Sequence, residues 1–339
     1  MTSRGEAAIT VRAATPGDDP AIDAFVRAHP AATPFHLPAW SRAIECGTGQ
    51  RNRSLVAKRG GTIVGVLPLT EMRSALFGTA LVSAGFAVDG GVLGEGCEAL
   101  AAAARAIGRP SIEWRGGPAP DGWTIDDSSY LGFVRPLAGD DAAELAAIPR
   151  KQRAEVRKAL ASDLAVTTGG AEQAADHYAV YAESVRNLGT PVFPRALFRA
   201  VLGEMDADIL TVRHEGRAVA SVLSLYFNGT VYPYWGGGTA AARALRANDL
   251  MYFALMAHAR ARGCTRFDFG RSKTGTGAAA FKKNWGFAGV PLRYARWSAG
   301  AGRDVNPLNP KYALMVRAWR RLPLPLANLA GPWISRGLG

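Results

Sequence analysis

The chain repeats itself. "TPFHLPAW", Thr33 to Trp40, returns as "TPVFPRALF", Thr190 to Phe198, with two aromatics five apart in each copy. "AKRGGTIVGVLPL", from Ala57, returns as "VRHEGRAVASVLSL", from Val212, and both read as strand, glycine turn, strand. "ARAIGRPSIEW", from Ala104, returns as "ARARGCTRFDF", from Ala259. There Gly108 and Gly263 are placed to end a helix before a strand with one acidic residue between apolar ones. The three matches keep their order at an offset of about 155 to 158 residues. Such a chain is expected to fold as two similar α/β units. The plainer reading, that any two α/β segments share these patterns, stays open at this point.

Length and composition agree with two units. At 339 residues and 48% apolar content the chain suffices for about two domains with cores of their own. Cys46, Cys97 and Cys264 are far apart and match no C-x-x-C spacing, which supports neither a disulfide framework nor a zinc site. His29, His36, His177, His214 and His258 show no ligand spacing, and no Ser/His/Asp arrangement stands out. No metal and no resident cofactor is expected. The first residues lack the apolar run of a signal peptide, and no uncharged apolar stretch of about 18 residues exists. The expectation is a reduced, cytoplasmic protein.

The net charge of +12 is concentrated. "RKQRAEVRK", Arg150 to Lys158, sets five basic residues against Glu155, and from Arg303 onward six stand against Asp304. At 3.6 residues per turn Arg150, Lys151, Arg153, Arg157 and Lys158 fall within roughly 160° of one helical face, with Val156 and Leu160 opposite. Such a face suits a polyanion, either a nucleic acid or a diphosphate-bearing substrate, or it is simply solvated.

The densest chemistry is "FDFGRSKTGTGAAAFKKNWGF", Phe267 to Phe287. It is not a P-loop, because Thr276 stands where the phosphate-binding Lys belongs, and not a G-x-S-x-G elbow, because Lys273 and Thr274 follow Ser272. It reads as a strand ending near Asp268 and Gly270, a flexible glycine loop and an aromatic-basic turn that the first copy lacks. Lys282 beside Phe281 and Trp285 can stabilise an oxyanion, or the two rings anchor the loop and the lysines are solvated. "YPYWGGG", Tyr232 to Gly238, reads as a strand edge that offers Tyr234 and Trp235 to a ligand, or as an aromatic-packed strand.

The order of elements in each unit resembles the GNAT acyltransferase fold. "IPRKQRAEVRKA", "YPYWGGG", "LRANDLMYFALMAHARARGCTRFDFG" and above all "FKKNWGF" make the second unit similar to the Fem-type peptidyltransferases, in the branch associated with exosortase and PEP-CTERM sorting. The resemblance covers most of Tyr130 to Trp297. It implies a mixed α/β (α+β) fold of two tandem GNAT-like domains, 1–125 and 126–299, and a basic amphipathic tail, 300–339. It also implies an acyltransferase that forms an amide on a cell-envelope or exopolysaccharide precursor. Phe281 and Lys282 then take the transfer site. Arg150, Arg153 and Arg157, with Lys151, hold the acceptor's phosphates, and Tyr234, Trp235, Asp268, Arg271, Ser272, Lys273 and Trp285 are further substrate contacts. The donor is aminoacyl-tRNA, or alternatively an acyl thioester on CoA or acyl carrier protein; DNA is not a partner. Two departures stand out: no long heptad arm is present, and the acetyl-CoA loop is missing, since Arg243 to Asp249 reads "RALRAND" without a glycine. A non-catalytic RNA- or membrane-binding adaptor is the third reading. The tail, where leucines and tryptophans alternate with arginines, is expected either to contact the anionic inner face of the membrane or to pack on the first domain, with Pro323 and Pro325 limiting any helix to the segment before them.

Overall fold

A computed structural model of the chain describes residues 7–300 and 310–339, with side chains of the last segment described from 314. Arg303 and Asp304 lie outside the described residues. Two compact units are present; among the described residues one takes 7–127, 292–300 and 337–339, the other 128–291 and 310–336.

The first unit runs β1 (Thr10–Ala13), α1 (Asp19–Ala28), α2 (Pro38–Thr48), β2 (Arg51–Asn52), β3 (Leu55–Arg59) and β4 (Thr62–Leu67). It continues through β5 (Leu69–Ser74), β6 (Gly78–Ser83), β7 (Leu93–Gly94), α3 (Cys97–Ala106), β8 (Ser111–Arg115) and β9 (Thr124–Asp126). Pro68, which has no N–H to give to a ladder, separates β4 from β5, and the chain changes sheets there. β1, β3, β4 and β7 form an antiparallel sheet, while β5 leads into a mixed one in which β6 and β8 are parallel.

The second unit runs β10 (Tyr130–Pro136), α4 (Asp141–Ala147), α5 (Arg150–Leu160), β11 (Ala165–Gly169), α6 (Ala174–Leu188), α7 (Arg195–Glu204), β12 (Ala207–His214) and β13 (Arg217–Phe227). Then follow β14 (Thr230–Gly238), α8 (Ala242–Leu245), α9 (Ala247–Ala261), β15 (Arg266–Lys273), α10 (Gly277–Asn284) and β16 (Gly289–Pro291). Its mixed sheet has the order β11-β12-β13-β14-β15-β10-β16. The β13–β14 turn is Asn228–Gly229, both at positive φ, the two-residue geometry whose twist matches the flanking strands. β13 reads as one apolar run because both of its faces are covered. Ser221 on one face bonds His177 of α6 at 2.9 Å, while Ala220 and Val222 on the other share a core with Met251 and Leu255 of α9.

α9 is buried over a wide face. Met251, Leu255, Met256 and Ala259 join Leu250 and Phe253 in the core, because α5 packs on α9 through Val156 and Ala159, with Leu160 left exposed. This helix begins at Ala247, after Arg246 in the left-handed region.

The repeat corresponds to real equivalences. The β3–β4 hairpin matches β12–β13, and α3–β8 matches α9–β15, each helix followed by a glycine at positive φ, Gly108 or Gly263. After β16 the chain enters β17 (Tyr294–Ser298), which pairs with β8 and β9 in the first unit's sheet. Tyr294 and Ala295 are buried there, so this strand, expected within the second domain, completes the first unit. In each sheet the parallel pair is followed by an antiparallel neighbour, β17 beside β8 and β10 beside β15.

The tail forms α11 (Pro310–Arg321) and α12 (Leu324–Ser335). A helix does form beyond Pro323, because Pro325 falls in the first turn of α12, where the missing N–H has no intrahelical partner to lose. Both helices belong with the second unit. Arg186 of α6 donates to the Arg320 carbonyl at 3.3 Å, and Ser335 Oγ donates to the Val192 carbonyl at 2.8 Å.

The glycines of "YPYWGGG" are closely packed: a Cβ on Gly237 would sit 2.2 Å from Ser184 Oγ of α6, and one on Gly238 would meet Ala242 and Asn248. Gly237→Ala is therefore expected to destabilise the fold by about 1–3 kcal/mol. Gly203→Ala, in open space on α7, should be neutral or stabilising by roughly 0.5–1 kcal/mol. Thermal melts of the two variants check this; equal melting temperatures would refute the close approach.

Candidate active site

β14 and β15 are paired at only two positions, Thr230↔Arg266 and Val231↔Phe267. Beyond them β14 follows β13 as far as Gly238, whereas β15 follows β10 as far as Tyr130↔Lys273, and the sheet divides. The local cause lies in β14. Pro233 cannot donate to a ladder, and a bulge leaves Tyr234 between the partners of Leu223 and Ser224.

The expected flexible glycine loop is absent. β15 continues through Arg271, Ser272 and Lys273, and after a short turn Thr276 caps α10, its hydroxyl accepting from the Ala279 N–H at 3.4 Å. "GAAAFKKN" is that helix. Its last turn returns Lys282 to β15, where Nζ donates to the carbonyls of Gly270 at 3.2 Å and Arg271 at 2.9 Å. The ammonium stands 5.4 Å from the ring centroids of both Phe133 and Phe269. Burial pushes its pKa down to about 8; the nearby Asp268 carboxylate opposes that shift and the Arg271 guanidinium adds to it. An ammonium has three N–H donors, and the two carbonyls account for two.

Of the residues expected in the site, β15 and α10 bring together Asp268, Arg271, Ser272 and Lys282. Asp268 accepts from the Gly270 N–H at 2.8 Å, the Arg271 guanidinium lies 4.8 Å from the Tyr130 ring, and the buried Ser272 hydroxyl finds no hydrogen-bond partner among the described residues. Lys273 ends the strand opposite Tyr130. Phe281 is half-buried against Tyr252 and Phe269, with centroids 5.8 and 6.1 Å away. Trp285 is fully buried. It braces α10 from the core and offers no surface to a substrate, and the rings beside the ammonium are Phe133 and Phe269, not Phe281 and Trp285. On the other side of the division Trp235 is also buried, with Phe198 at 5.1 Å, while Tyr234 is half-buried beside it.

The basic helix adjoins this region. A Cβ on Gly286, directly after Trp285, would come within 3.2 Å of Pro149, the residue before α5. Gln152 donates to Asp249 at 2.6 Å and Glu155 pairs with Arg246 at 2.6 Å, so the inner side of α5 is tied to the start of α9. Arg150, Lys151 and Arg157 are exposed and Arg153 half-buried, and none of the four forms an ion pair among the described residues.

The first unit has a division of its own, which sequence reasoning missed. β6 and β8 pair only at Leu81↔Ile112 and Val82↔Glu113, and the loop after β6 carries Asp89. Burial pushes the Asp89 carboxyl up to about 6, against the Gly90 N–H, which donates to it at 2.6 Å. "VDGG" gave a turn signal alone; the closeness of Gly116, where a Cβ would stand 2.2 Å from Asp89 Oδ1, has no local sequence mark.

Residues 150–283 match the family described as "Acetyltransferase (GNAT) domain". No curated protein matches the chain. Among solved structures, FemX superposes with a TM-score of 0.66 at 17% identity, over 84% of this chain and 96% of that one. The C-terminal domain of a putative lysylphosphatidylglycerol synthetase from Agrobacterium fabrum gives 0.57 at 13%, over 83% and 91%. A tandem GNAT protein from the clavulanic acid biosynthesis pathway gives 0.52 at 14%, over 88% and 100%. At these identities the likeness is one of fold.

The raised Asp89 pKa has a stability consequence. A carboxyl whose folded pKa lies above its unfolded value contributes stability that is fully present below about pH 4 and is lost as pH rises through about 6. Asp89→Asn should therefore gain on the parent between pH 4 and 7, by roughly 1–3 kcal/mol. Denaturant melts at both pH values check this, and a difference independent of pH would remove the assignment. Residues 150–283 thus match a GNAT acetyltransferase domain, within a chain whose tandem fold is similar to that of FemX.

Proposed function

We propose that the protein is an amide-forming aminoacyl or acyl transferase whose transfer site is the divided sheet of the second unit. The observation that carries this reading is the Lys282 ammonium, held by two strand carbonyls and two aromatic faces where β14 and β15 part. An acceptor amine attacks the donor carbonyl carbon, a C–N bond forms, the carbonyl oxygen becomes an oxyanion, and the ester or thioester bond breaks as the tetrahedral intermediate collapses. Lys282 supplies the N–H that meets the oxyanion. The amine proton leaves with a substrate group. The acceptor is a cell-envelope or surface-polymer precursor whose phosphates lie on Arg150, Arg153 and Arg157.

The start of α9 bears on the donor. In the acetyl-CoA-binding arrangement a glycine loop leaves the amides of this terminus open to a diphosphate. Here α8 and Arg246, in the left-handed region, lead into α9 in place of a glycine loop, and Asp249 stands in its first turn, hydrogen-bonded to Gln152 and within the field of Glu155. A carboxylate already occupies the positive end of the helix and repels a diphosphate. This favours aminoacyl-tRNA over CoA. The match of 150–283 to an acetyltransferase family supports the second reading, an acyl thioester held in another way. Mass spectrometry of products formed with charged tRNA or with acyl thioesters separates the two.

Lys282→Ala should lower turnover about a hundredfold or more, while Lys283→Ala, at an exposed position of the same helix, should be mild. Equal harmlessness of the two would end the oxyanion role. The ammonium is lost above about pH 8, so turnover should carry a falling limb there. In Lys282→Arg, whose charge persists past pH 12, residual activity should lack that limb.

Replacing Arg150, Arg153 and Arg157 together with Gln should weaken acceptor binding and flatten its salt dependence at unchanged melting temperature. Apparent affinities that match the parent at low and high salt would remove the phosphate role.

A further inference from the structure

α12 is turned inside out relative to a helix on a water-facing surface. Its buried side is Ala327, Gly331 and Ser335, four apart; Gly331 lies against Val192, and Ser335 donates to the Val192 carbonyl. Its opposite side carries Leu326, Leu329 and Trp333, which are 52%, 79% and 54% exposed. Small side chains inward and large apolar ones outward reverse the order that burial favours in a surface helix. "LPLANLAGPWIS" contains no charged residue to wet that face. Leu314 and Met315 of α11 are also exposed.

The charge of the tail itself has one sign. From Val305 to Gly339 the sequence holds Lys311, Arg317, Arg320, Arg321 and Arg336 and no Asp or Glu. Arg320 is engaged, donating to the Leu188 carbonyl at 3.3 Å. Arg317 and Arg321 are exposed and form no ion pair among the described residues.

We propose that the outward face of α12, with the arginines of α11, docks on an anionic lipid surface, the helix lying in the plane of the membrane. Interfacial helices combine an apolar stripe that enters the headgroup boundary with basic residues that meet anionic lipid, and tryptophan favours that boundary. None of the helices among the described residues is long and apolar enough to cross a membrane, so the contact is peripheral. A second copy is a poor occupant. A two-fold contact sets a patch against itself and would bring Arg317 and Arg321 towards their own copies. The proposal does not depend on the transfer reaction, although an envelope acceptor carried on a lipid would be met at this surface.

Flotation of the full chain with phosphatidylcholine vesicles, with and without phosphatidylglycerol, tests it. The parent should float with the anionic vesicles and at least about tenfold less with the neutral ones. Leu326→Gln, Leu329→Gln and Trp333→Gln combined should abolish flotation at unchanged melting temperature, since the three positions are exposed. Arg317→Gln with Arg321→Gln should weaken it about tenfold or more. A parent that floats with neither vesicle, or a triple variant that floats like the parent, overturns the proposal. A parent dimer by light scattering that dissociates in the triple variant, without flotation, assigns the face to a second copy and overturns it as well.

Discussion

The two-residue parallel contact between β14 and β15 is the constraint on which the second unit depends. A longer ladder would close the sheet, and a shorter one would not hold α9 and β15 in register. β14 is pulled one way by its long antiparallel pairing with β13 and β15 the other by β10, so the gap is a consequence of hydrogen-bond competition. β15 bulges against β10 at Phe269 and Gly270, and the Lys282 ammonium bonds the carbonyls of Gly270 and Arg271 there. One side chain thus satisfies backbone acceptors and is held, partly stripped of water, where the proposed chemistry places it.

That arrangement explains why α10 is a helix with both an aromatic and a basic side. Phe281 and Trp285 pack towards Tyr252, Lys282 turns to β15, and Lys283 faces water. The same helix ends at Gly286 against Pro149, where the basic helix begins. The proposed chemistry and the proposed phosphate contacts are neighbours because one turn packs on the other. The counter-charges follow a similar logic: Glu155 pairs with Arg246 and Lys158, and Asp249 accepts from Gln152, which leaves Arg150, Lys151, Arg153 and Arg157 without an ion pair among the described residues.

The tandem architecture was legible in the sequence because the repeat records the elements that build each core: a hairpin, a helix closed by glycine, and a central strand. What lay beyond reach depended on pairing at a distance. β17 looks like any short strand of the second unit until it pairs with β8. "GTGAAAFKKN" carries three alanines and a threonine cap, but its glycines suggested a loop and outweighed them. Lys282 was legible as chemistry, whereas its aromatic neighbours Phe133 and Phe269 were not, because the interval from Phe133 to the turn gives no periodic signal. Asp89 was missed for the same reason: its burial comes from Gly116 and its neighbours, not from its own segment.

Titration of the lysine ammoniums is the most direct measurement of the central claim, that Lys282 is held partly desolvated at the division of the sheet. In reductively methylated protein followed by carbon-13 nuclear magnetic resonance, one lysine signal should titrate near pH 8 and be missing from Lys282→Arg. If every lysine titrates in the ordinary range near 10.4 instead, the ammonium is open to water and the account of the site is contradicted.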